Sequence, residues 1–154
     1  MPHPQMFDDG DALLARVRQL ALALPGAAEK VSHGRPAFYT TKVFAYYGGS
    51  VRHDGEWVEH AHAVVVFGDL AGQAALRARP DAWVPAYLGP AGWTGVDLGP
   101  DADSDDLADL IEESYRATAS RRLVAERGRL PVRALSLDEG PGFDRFGRSR
   151  PASP

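Results

Sequence analysis

At 154 residues with 44% hydrophobic content, the chain is sized for one domain with a substantial core. It contains no cysteine, which excludes disulfides, thiolate metal ligands and a cysteine nucleophile and fits a reducing cytoplasm. The formal net charge of −4 is uneven: residues 1–115 carry 8 Lys and Arg against 17 Asp and Glu, while residues 116–154 carry 9 against 4, so an acidic body precedes a basic end and composition by itself disfavours non-specific DNA affinity.

The start, Met1-Pro2-His3-Pro4, has neither the basic region nor the apolar core of a secretory signal. The spacing of Leu13, Leu14, Val17, Ala21 and Leu24 predicts a first helix over 8–24, capped by Asp8 or Asp9 and ended by Pro25-Gly26. Segments 36–40 and 42–48 alternate with period two and are rich in aromatic and β-branched residues, which predicts two strands joined tightly at Thr40-Thr41. Residues 49–60 read as a polar connection with an Asp54-Gly55 turn, and 61–67 as a third, largely buried strand. That run is far shorter than the ~20 residues needed to span a bilayer, so a soluble, cytoplasmic protein is expected. A helix over 70–79 follows, capped by Asp69 and stopped by Pro80, then an irregular Pro/Gly/aromatic stretch over 81–93 and a strand over 94–98. The last helix is predicted over 104–120, with Leu107, Leu110, Ile111, Ser114 and Thr118 on one face and Asp105, Asp106 and Asp109 loading its first turns.

This order predicts an α+β fold: a single antiparallel sheet with helices packed on one face, the helices 8–24 and 104–120 lying side by side. The folded domain is placed at 8–125 and a basic Pro/Gly/Arg-rich tail at 126–154, with disorder expected over 138–154 because apolar residues there are too sparse to build a core.

The segments Gly34-Arg35-Pro36-Ala37-Phe38, Lys42-Val43-Phe44-Ala45, Pro85-Ala86-Tyr87-Leu88-Gly89-Pro90, Gly92-Trp93 and Ser114-Tyr115-Arg116 resemble, in order and spacing, the MmcQ/YjbR family of small bacterial proteins. The resemblance covers about residues 10–125 and implies a fold similar to the frataxin (CyaY) arrangement, a DNA-binding label and no enzymatic activity. The basic extension after about Leu130 departs from the family pattern.

Arg35, Lys42, Arg121 and Arg122 are the candidate phosphate-directed cations, with Tyr39, Tyr87 and Trp93 as stacking surfaces. The plainer readings are that Arg35 pairs with an acid such as Asp97, that Arg121 and Arg122 close the last helix against its dipole, and that the aromatics pack the core. His60 and His62, with a single residue between them on a strand, suggest two imidazoles on one face, but no third ligand has defined spacing. His33 beside Gly34-Arg35-Pro36 reads as a turn hydrogen-bonder, and Asp8, Asp9 and Asp11 as capping chemistry. No nucleophile, base and orienter triplet emerges, so no catalytic residue, metal or cofactor is assigned. The leading expectation is a non-enzymatic, cytoplasmic DNA-binding protein. The rival is a binding protein for a planar anionic small molecule, held by Tyr39, Tyr87 and Trp93 with Arg35 or Lys42 as counter-charge.

Overall fold

The computed structural model describes residues 4–129. Helix α1 (Ala12–Leu22) begins where the Asp11 side chain accepts from the Leu13 amide, so the cap is Asp11 and not Asp8 or Asp9. Its periodic Leu14, Val17, Leu20 and Ala21 are buried. After Pro25-Gly26 the chain enters β1 (Ala28–Ser32), a strand that the polar sequence Ala-Glu-Lys-Val-Ser does not announce. His33 and Gly34, both at positive φ, turn it directly into β2 (Arg35–Tyr39).

The central pair, β3 (Val43–His53) and β4 (Glu56–Phe67), is longer than expected, and most of the predicted 49–60 connection is strand. Asp54 and Gly55 do form the turn, with φ of 50° and 80°. Those twelve residues read as a loop because the ribbon they form beyond the helices has little to bury. Helix α2 (Leu70–Arg77) is capped by Asp69 as expected. Within the irregular 81–93 stretch lie β5 (Ala82–Trp83) and a 3-10 turn at Gly89–Ala91, and β6 (Trp93–Asp97) follows. Helix α3 (Ser104–Thr118) is capped by Asp103.

All strand pairings are antiparallel in one six-stranded sheet, order β1-β2-β3-β4-β6-β5. The helices α1 and α3 pack on each other and on β3 and β4, which bears out the expected architecture. The core between the layers joins Leu14, Val17 and Leu20 to Phe38, Phe44, Tyr47, Val64, Val66, Leu107, Ile111 and Tyr115. The pairs Phe38↔Ala45 and Tyr39↔Val43 leave Phe44 as an extra residue, and this bulge keeps both Phe44 and Ala45 in the core. The buried Ser114 hydroxyl donates to the Phe44 carbonyl at 2.5 Å and accepts from the Phe67 amide at 2.9 Å, tying α3 to both central strands.

One further helix was not expected: α4 (Arg121–Gly128), capped by Ser120. It follows α3 after a break at Ala119 and crosses the boundary placed between 125 and 126. Only Leu123 and Val124 reach the core, too few to give a helical stripe. The expected disorder over 138–154 lies outside the described residues.

Candidate nucleic-acid interface

The two principal helices run parallel. Arg16 of α1 donates to the Ala102 carbonyl and the Ser104 hydroxyl, placing both helix starts together. The Tyr115 hydroxyl donates to the Pro25 carbonyl at 2.7 Å, placing both helix ends together. The start end also receives Leu98, whose amide bonds the His62 carbonyl, and collects Asp8, Asp9, Asp11, Asp101, Asp103 and Asp105. The opposite end holds the β2–β3 turn, because Tyr39 pairs with Ala28 and Val43, and α4, because Leu123 lies against Gly26.

Lys42, Arg121 and Arg122 therefore stand at the same end of the domain. All three are exposed, and none makes an ion pair or side-chain hydrogen bond among the described residues. The expectation that Arg121 and Arg122 close a helix favourably is corrected: they form the first turn of α4, where a positive charge opposes the helix dipole at a typical cost of roughly 0.3–1 kcal/mol each. Glu126, one turn beyond Arg122, does not pair with it. Tyr39 is at this end too, with the Lys30 ammonium 4.7 Å from its ring centre.

Arg35 is held elsewhere. It lies on β2 only 8% exposed, and its guanidinium pairs with Glu59 on β4, not with Asp97. It crosses Gly48, where a Cβ would come within 2.6 Å of Nη1 and where φ is +80°, so glycine is required on two counts. Asp97 instead accepts from Trp83 Nε1 at 2.9 Å and lies 2.8 Å from His60 Nδ1. The Trp83 ring stacks on His60 and presses on Gly49 and Gly95, covering the sheet face that the helices leave bare.

The two histidines are separated. Between the pairs Tyr47↔Val64 and Gly49↔His60, β4 spends two more residues than β3. This irregularity sends His60 to Trp83 and His62 to the helix side, where its Nδ1 lies 3.0 Å from Asp11 and 3.2 Å from the Tyr47 hydroxyl. The aromatics are also dispersed. Trp93 packs on Tyr46 and Phe67, whereas Tyr87, 83% exposed with φ of 67°, meets Trp57 of the β3–β4 ribbon. No ring contact among the described residues joins Tyr39, Tyr87 and Trp93 into a common pocket.

Asp11, Tyr47 and His62 form a polar knot at the acidic end. Burial acts to raise the Asp11 carboxyl, but the Tyr47 hydroxyl, the Leu13 amide and the charge of His62 outweigh it, and the net value falls below the ordinary 3.8. Burial, and then the Asp11 carboxylate, push the Tyr47 phenol up. A depressed native carboxyl contributes stability above its unfolded value and loses it as pH falls through the native one. Asp11→Ala is accordingly expected to cost about 1–2 kcal/mol at neutral pH, through the lost cap and the stranded Tyr47 hydroxyl. Urea titrations should show that deficit shrinking as pH drops below about 4.

A family model described as YjbR matches residues 22–117. No curated protein matches the chain. No helix among the described residues is long and apolar enough to cross a membrane. The family match takes in β1 through nearly all of α3, including the Arg35, Tyr87 and Trp93 segments, and on that ground the chain belongs to the YjbR family.

Proposed function

We propose that this protein is a non-enzymatic DNA-binding protein that meets phosphates through Lys42, Arg121 and Arg122, with Tyr39 beside them as a stacking surface. The observation that carries the reading is the placement of Arg121 and Arg122 in the first turn of α4, exposed and without a carboxylate partner among the described residues. Folding gains nothing from two guanidinium groups there, because they oppose the dipole of the helix that bears them. A phosphate ligand reverses that balance, since arginine forms charge-assisted, bidentate bonds to it. Six aspartates, Asp8, Asp9, Asp11, Asp101, Asp103 and Asp105, lie toward the far end of the domain, so their repulsion acts at a distance that salt partly screens. The chain's composition adds to the attraction, since residues 116–154 carry 9 Lys and Arg against 4 Asp and Glu.

The test is a fluorescence-anisotropy titration of a short duplex across a salt series. Binding should fall log-linearly as salt rises. The double change Arg121→Ala and Arg122→Ala is expected to flatten the slope by up to about two, near one for each lost phosphate contact, without altering base preference. Arg52→Ala, on the distant ribbon over Trp57, should leave the slope unchanged. Absence of duplex and single-strand binding at low salt, or an unaltered slope in the double variant, removes this reading.

A further inference from the structure

A cavity of about 370 Å³ opens between α2, α3 and the end of β4. Its size falls within the roughly 300–1,000 Å³ typical of small-molecule sites. Sequence explains why it is there: α2 turns Gly72 and Ala75 toward α3, and none of its residues is fully buried. The floor and walls are apolar, with Val66, Phe67, Leu76, Leu110 and Ala117. Charge enters only at the rim. Arg79, the one cation lining the cavity among the described residues, is committed to both Asp81 and Asp106, at 3.0 and 2.8 Å.

The other charged lining residues are acidic, and none of them makes an ion pair among the described residues. Asp109 and Glu113 stand one helical turn apart on α3, both exposed and both without an ion pair or side-chain hydrogen bond among the described residues. Like charges at that spacing repel. Asp69 adds a third carboxylate, with one oxygen bonded to the Gly72 amide. An apolar chamber whose mouth carries unbalanced negative charge has a defined complement: an apolar body that fits inside and a single cationic head that stays at the rim.

We propose that this cavity binds a small amphipathic cation, an amine or amidine on an aromatic or alkyl body, with Asp109 and Glu113 receiving the charged head and Leu76, Leu110 and Phe67 enclosing the apolar part. The site is independent of the nucleic-acid reading. It lies between α2 and α3, carries the opposite charge, and needs no residue of α4.

The experiment titrates the full chain with benzamidine, cationic at neutral pH, and with benzamide, its neutral near-isostere, following backbone amides by NMR. Benzamidine should produce saturable shifts confined to α2, α3 and the end of β4, and bind roughly three- to tenfold more tightly than benzamide, as expected for exposed charge pairs. The double variant Asp109→Asn and Glu113→Gln should bring benzamidine to the affinity of benzamide and leave benzamide unmoved. Ala75→Phe, which fills the chamber, should abolish binding of both. Because the carboxamide variant relieves a repulsion on an exposed helix face, it keeps its fold and decides the matter even if Ala75→Phe does not. Three outcomes overturn the proposal: no saturation by about 10 mM benzamidine, an order of magnitude beyond millimolar binding; equal affinity for the two probes; or shifts that map outside these elements.

Discussion

Tyr115→Ala is expected to lower the unfolding free energy by about 3–5 kcal/mol, the range for truncating a fully buried large aromatic side chain. Tyr115 joins three parts of the fold. Its ring meets Phe44 edge-on at 5.3 Å, its hydroxyl donates to the Pro25 carbonyl after α1, and the Leu123 carbonyl of α4 lies 3.5 Å from the same oxygen. Burial, the leading cause, raises its phenol above the ordinary value, so the group stays neutral and remains a donor through the working pH range. Tyr115→Phe keeps the packing but leaves a buried carbonyl without its donor, and should cost only about 1–3 kcal/mol. Urea unfolding separates the two: both midpoints should fall, the alanine variant much further, with unchanged slopes. Equal losses would show that the hydroxyl, not the ring, holds the junction.

Gly95→Ala is expected to cost about 1–3 kcal/mol despite adding one methyl group to a strand, because overpacking a tight contact forces a rearrangement. A Cβ on Gly95 would fall within the indole of Trp83. Trp83 must then leave the sheet, losing its bond to Asp97 and its stack on His60, whose ring centre lies 4.1 Å away. A double-mutant cycle makes the argument specific. In a Trp83→Ala background the same Gly95→Ala change should be nearly neutral, since the obstructing ring is gone. If it costs as much there as in the native chain, the loss belongs to the strand and not to the indole.

How far the sequence reveals this molecule depends on where each residue finds its partner. The helices α1 and α3 could be read because their apolar residues recur at a period set by their own element, and the buried half of β4 because it is an unbroken apolar run of strand length. The Asp54-Gly55 turn and the Asp69 cap are equally local. β1 escaped because it is an edge strand whose polar side chains are used elsewhere: Glu29 takes Arg18 of α1, and Lys30 lies over Tyr39. The partner of Arg35 escaped for a related reason. Glu59 sits on a ribbon that looks like a loop, and only pairing with β3 brings it across. The histidine pair was misread because alternation along β4 holds only until the strand gains its extra residues. As for the candidate interface, the cations themselves were recognisable. Their gathering was not, since it rests on contacts such as Tyr115 with Pro25, spanning 90 residues. Nor does any period in the chain foretell that Trp93 and Tyr87 turn to different neighbours.

The parallel course of α1 and α3 makes the molecule electrically polar. Two helices that start together present two partial positive poles at one end, and acidic caps such as Asp11 and Asp103 settle there; the partial negative poles at the other end suit a cation such as Lys42, whereas the arginines of α4 stand against the dipole of their own helix. The acidic pole thus follows from ordinary capping rules applied twice in the same direction. Its consequence lies in the encounter. A body with separated poles experiences a torque in the field of a polyanion and turns before it touches, so productive collisions depend less on chance orientation. On the proposed DNA reading, the protein arrives end-on, acidic pole outward, and occupies a short stretch of backbone.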